Sequence, residues 1–197
     1  MKEALLVIDI LNKCSHPDFE NKKWGITYRR IRRMIPKLEK FILDYKKVGG
    51  KVIYINCTQW DKKHLAKNIV NLYENNNQAE VYCKSALGKK FYKLNPEKDD
   101  LIITKNTYDA FTNPKLDKYL KKRKIKNLII TGIYGDGCVH ATIQGGFSKG
   151  YNFTIIGDLI ETTDVRWRQN TQKTFKNKIW PYMFGRVIKS SKFLNQR

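Results

Sequence analysis

The sequence predicts a doubly wound α/β fold, a mainly parallel sheet with helices on both faces. Three observations predict it. Short apolar runs rich in β-branched residues recur at 4–8, 51–56, 101–104, 128–131 and 151–156. Between most of them lie segments of helical periodicity, the alternation that makes a parallel sheet. Finally, three runs are followed at once by a distinctive residue or turn: Asp9, Lys105 and the glycine-rich stretch from Gly132 to Cys138. Strand C-termini of a parallel sheet share one edge, where open α/β sheets place their sites.

The first run, Ala4-Leu5-Leu6-Val7-Ile8, closes on Asp9. An unpaired buried carboxylate costs several kcal/mol, so Asp9 either points into a site or caps the next loop. Asn12, Ser15, His16-Pro17 and Asp18 make 12–23 a loop that could cover a pocket. Ile31, Ile35, Leu38, Ile42 and Tyr45 give 28–47 one apolar helical face, with Pro36 predicting a kink or break. Residues 57–79 read as an irregular, asparagine-rich excursion with one short helix, and His64 within it as an exposed histidine.

A loop at 85–92 and a turn at Leu94-Asn95-Pro96-Glu97 lead to the strand at 101–104. Lys105 after it is either a surface lysine or a site lysine that lowers a thiol pKa and holds a carboxylate. Asn113-Pro114 opens a helix to 124, and 128–131 is the central strand. After its glycine turn a helix stops at Gly150. A strand at 151–156 follows, then a helix over 161–178 anchored by Trp167 and Phe175, then an edge strand at 186–188. No repeat or linker interrupts the chain, so 1–197 reads as one domain.

Cys138 falls at the start of a helix, where unpaired N–H groups and the dipole favour a thiolate. The residue type alone leaves nucleophile and buried structural cysteine equally open. The four cysteines, Cys14, Cys57, Cys83 and Cys138, show no metal or redox spacing and read as reduced thiols. No leader or membrane span is evident near Met1, which predicts a cytoplasmic protein. The 197-residue chain carries a formal net charge of +21, which attracts anions. No nucleic-acid-binding signature accompanies these bases, so a solvated lysine coat is the simpler reading.

Asp9, Lys105 and Cys138, each just past an apolar run and in that order, resemble the catalytic triad of the isochorismatase-like cysteine hydrolases, a group that includes nicotinamidase and N-carbamoylsarcosine amidase. The likeness extends through Leu6-Val7-Ile8-Asp9, through Asp100 to Lys105 with Tyr108, Ala110 and Phe111, and through Gly132 to Val139, Thr142 and Gly150-Tyr151. It implies a single three-layer hydrolase domain and a Cys138 acyl-enzyme. Asp9 would take the thiol proton, Lys105 would orient it, and the N–H groups of Tyr134 and Cys138 would form the oxyanion hole. It also implies a cis Ile133–Tyr134 peptide and a substrate pocket from Leu11, Tyr108, Phe111, Ile133 and Tyr134.

The departures are informative. Nicotinamidases carry an Asp-x-His metal motif after the second strand, where this chain reads Asn56-Cys57-Thr58-Gln59-Trp60-Asp61. Leu11 replaces a frequent glutamine, and Gly135-Asp136 replaces the usual Thr-Asp. The expectation is therefore a cofactor-free, metal-independent hydrolase of a small amide or ureido C–N bond, on an anionic substrate if the lysines reach the pocket. The resemblance implies a homodimer or tetramer. Two alternatives stand beside it: a non-catalytic binder of nucleic acid or an acidic partner on this fold, and vinyl-ether hydrolysis by Asp9 without the thiol.

Overall fold

The computed structural model describes residues 2–78 and 81–196; Met1, Ala79, at the end of the asparagine-rich excursion, Glu80 and Arg197 lie outside them. Six strands form: β1 (Glu3–Ile8), β2 (Lys51–Cys57), β3 (Leu101–Lys105), β4 (Asn127–Ile133), β5 (Asn152–Glu161) and β6 (Gly185–Ile188). The helices are α1 (Arg29–Lys47), α2 (Lys67–Asn75), α3 (Pro114–Lys122), α4 (His140–Ser148), α5 (Arg166–Thr174), α6 (Trp180–Met183) and α7 (Ser190–Leu194). The sheet order is β3-β2-β1-β4-β5-β6, and every pair is parallel.

Strand alternation divides the core between the two faces. Leu5, Val7, Tyr54 and Ile129 pack with Ile31, Ile35, Leu38 and Phe41 of α1 and Phe193 of α7. Leu6, Ile8, Ile53, Ile55 and Ile130 pack with Leu116 and Leu120 of α3, Ile143 of α4 and Trp180 of α6. Because β1 is covered on both faces, all five residues from Ala4 to Ile8 are fully buried, the continuous apolar run a central parallel strand requires.

The chain reverses direction across the sheet between β1 and β4, the switch point where such sheets bind ligands. Gly132 makes the close approach there. Its φ is 115°, and a Cβ would collide with the Ile8 carbonyl. The end of β4 therefore lies directly against the end of β1.

Three expectations need correction. Pro36 does not break α1, which runs from Arg29 to Lys47; Pro36 is exposed, so the carbonyl its missing N–H leaves free is open to solvent. β5 does not stop at residue 156 but continues through Gly157 and Asp158 to Glu161, by a register shift against β4 between Ile130 and Gly132. The helix expected over 161–178 begins only at Arg166. Of its two expected anchors, Trp167 is 66% exposed, while Phe175 packs against the core and stacks on His140 at 4.2 Å; beyond it, in α6, Trp180 is fully buried and its indole N–H donates to His140 Nδ1 at 3.1 Å.

All four cysteines are free thiols. Burial pushes Cys14 from 9.0 up to about 11. The folded thiol then ionises at higher pH than the unfolded one, so its contribution to stability is whole below pH 9.0 and is lost as pH rises towards about 11. Urea midpoints are expected to fall between pH 8.5 and 11, and Cys14→Ala to flatten part of that fall.

Candidate active site

Four strand ends build the site. Asp9 leaves β1 in the left-handed region, φ 55°, and is 2% exposed. Lys105 ends β3 and is equally buried. Neighbouring strands lie about 4.8 Å apart, so β3 is about 10 Å from β1, with β2 between them. Cys57, the last residue of β2, is the register partner of Lys105. The lysine side chain crosses over β2 to reach β1, and on the way it meets Cys57.

The Lys105 ammonium is the hub. Its three N–H bonds go to Thr107 O at 3.1 Å, Cys57 Sγ at 3.2 Å and Cys138 Sγ at 3.3 Å. Asp9 Oδ2 lies 2.8 Å away as an ion pair. Asp9 Oδ1 accepts from the Cys57 thiol at 3.1 Å. Burial pushes the Lys105 pKa down, but Asp9 and the two sulfurs outweigh it and hold the group well above 10.5, a permanent cation.

Cys138 lies in the tight turn Gly135–Val139 that precedes α4. The Ile133–Tyr134 peptide before it is cis. The expected low thiol pKa is not found. A hydrogen bond with Cys57 and burial push Cys138 well above 9.0, and Lys105 only partly opposes them. A helix start and one lysine favour a thiolate; a second sulfur sharing that lysine takes the advantage away.

A polar clamp sits behind the turn. Arg168 of α5 grips the buried Asp136 with two bonds, of 2.6 and 2.9 Å, and stacks 4.5 Å above the Tyr134 ring. Removing it leaves the buried Asp136 carboxylate without a counter-charge, held only by the Thr162 hydroxyl. Arg168→Ala is expected to cost about 3 kcal/mol, read in a denaturant melt, with Arg168→Lys recovering only part because it cannot make the fork.

The other pocket candidates divide. Leu11 is fully buried beside Cys57 and Trp60, and the Tyr108 ring packs on the same cluster. The Tyr108 hydroxyl lies 3.1 Å from that of Tyr73. Phe111 and Ile133 are not brought to this wall. Phe111 stacks on Tyr151 at 5.2 Å within the α3–α4 side of the core, and Ile133 is buried on the α1 side. A 570 Å³ cavity at the same edge is lined by Cys57, Thr58, Gln59, Lys89, Lys90 and Thr104 among others, but not by Cys138, which keeps 8% exposure.

Sequence reasoning missed Cys57, Trp60 and Tyr73. Cys57 was within reach, because the strand-end rule that singles out Asp9 and Lys105 applies equally to β2. Among the described residues, no three His, Cys, Asp or Glu side chains are grouped to hold a metal ion. No helix among the described residues is long and apolar enough to cross a membrane.

An open parallel sheet with helices on both faces and polar groups gathered at its switch point is the architecture of the isochorismatase-like α/β hydrolases. The isochorismatase domain model matches residues 3–191, and the chain belongs to that family. It is 26% identical over 170 residues to the isochorismatase family protein YrdC of Bacillus subtilis, covering 86% of this chain and 79% of that one. In fold it is similar to a cysteine hydrolase from Pseudomonas syringae, with a TM-score of 0.80 and 19% identity over 99% of this chain and 92% of that one. N-carbamoylsarcosine amidase from Thermoplasma acidophilum is also similar, with a TM-score of 0.69 and 19% identity over 96% and 97% of the two chains.

Proposed function

We propose that the protein is a metal-independent cysteine hydrolase that cleaves an amide or ureido C–N bond of a small molecule through a Cys138 acyl-enzyme. The observation that carries this reading is the buried Lys105 ammonium, in contact with both the Asp9 carboxylate at 2.8 Å and the Cys138 sulfur at 3.3 Å. A lysine is not buried at the end of an edge strand for packing alone; the carboxylate and the sulfur account for it.

The Cys138 proton passes towards Asp9 as the sulfur attacks the carbonyl carbon. The S–C bond forms, and the N–H groups of Tyr134 and Cys138 hold the developing oxyanion. The C–N bond breaks and the leaving nitrogen takes the proton that Asp9 received. Water then hydrolyses the thioester. Leu11 and Tyr108 border the substrate; the Tyr134 ring packs on the α1 side, beside Ile133. The segment from Asn56 to Asp61 lacks the donor set of the metal-dependent amidases, which supports chemistry by the thiol without a cofactor.

A screen of small amides and ureido compounds, followed by mass mapping, tests this. The expected result is release of ammonia or an amine and an acyl adduct on Cys138. Turnover without any adduct, retained in Cys138→Ala, would move the chemistry from the thiol to Asp9.

A further inference from the structure

We infer that Cys57 is a proton relay between the Cys138 thiol and Asp9, an inference that rests on Cys138 being the nucleophile. The geometry leads there directly. Asp9 has two oxygens. Oδ2 faces the ammonium at 2.8 Å, and Oδ1 accepts from the Cys57 thiol at 3.1 Å. Cys138 contacts the same ammonium at 3.3 Å that Cys57 contacts at 3.2 Å. The ammonium thus holds the two sulfurs side by side, and Cys57 is the one whose thiol is hydrogen-bonded to the carboxylate. At 3% exposure for Cys57 and 2% for Asp9, the transfer is between side chains rather than through bulk water.

The step balances. The Cys57 S–H bond breaks as an O–H bond forms on Asp9 Oδ1. The Cys138 S–H bond breaks as a new S–H bond forms on Cys57. One proton has moved from Cys138 to Asp9, Cys57 is again a thiol, and the electron pair on Cys138 is free to attack. The ammonium touches both sulfurs, so the negative charge keeps its counter-ion wherever it sits.

The test uses the full chain, iodoacetamide, and the amide found in the screen. In Cys57→Ala, Cys138 loses the partner that raises its pKa and keeps the ammonium. Its alkylation at pH 7, mapped by mass, is expected to rise at least fivefold, with the midpoint of the pH–rate curve moving down by one unit or more. Amide turnover is expected to move the opposite way, with kcat at least tenfold lower and KM within threefold. Cys57→Ser keeps a donor and an acceptor and is expected to recover most of kcat. Serine and alanine variants that fall together would mean the sulfur is there for packing, and wild-type kcat and pH midpoint in Cys57→Ala would also overturn the relay. An inactive Cys138→Ala beside an unaffected Cys57→Ala sinks the relay alone; an active Cys138→Ala sinks the nucleophile reading with it.

Discussion

Cys138→Ala is expected to abolish both the acyl adduct and amide hydrolysis, by on the order of 10⁶-fold in kcat for a nucleophile of this kind. The sulfur supplies the bond that splits hydrolysis into two easier steps, and no neighbouring group is placed to replace it. Cys57 shares the ammonium, but it sits at the end of β2 with its thiol donating to Asp9, not in the turn that carries the oxyanion donors. The fold should tolerate the change at about 1–2 kcal/mol, because the side chain removed is small. Single-turnover assays of purified wild type and variant, with circular dichroism as the folding control, check it. Residual hydrolysis within tenfold of wild type would transfer the chemistry to Asp9.

Lys105→Met is expected to damage both stability and activity. It leaves Asp9 2% exposed with no counter-charge, a loss of about 3–5 kcal/mol. It also removes the cation that stabilises either thiolate, for which about 10³-fold in kcat/KM is a fair measure. Adding Asp9→Asn to Lys105→Met removes the stranded charge, so the double variant should regain much of the stability and none of the activity. The pH dependence follows the same logic. In the wild type, the folded Lys105 pKa lies well above 10.5, so its contribution is whole below pH 10.5 and is lost only as pH climbs through the folded value. Acid removes the stranded charge in Lys105→Met, so the deficit in urea midpoint should narrow as pH falls towards the ordinary carboxylate range. A deficit that stays constant with pH would mean that lost packing, not charge, is responsible.

The division between what was legible in the chain and what was not follows particular residues. β1, β2 and β4 announce themselves because a strand buried on both faces must be apolar throughout. Asp9 and Lys105 stand out because a charge ending such a run is costly unless it is used. Pro36 misled because its cost depends on which way its face of the helix points, and only packing decides that. β5 was cut short at Gly157-Asp158 because a register shift leaves no local pattern.

By itself, then, the sequence determined the alternating α/β plan and the family, and it nominated three polar residues at strand ends. The tertiary structure decided what stands among them. The order β3-β2-β1-β4 puts β2 between the lysine and the carboxylate, and so brings Cys57 into contact with both, 48 residues along the chain from each. Apolar periodicity records how deeply a strand is buried, and it carries no information about which strand lies beside it. That is a property of crossover connections and helix packing, and it is why two sulfurs on one ammonium could be found only in three dimensions.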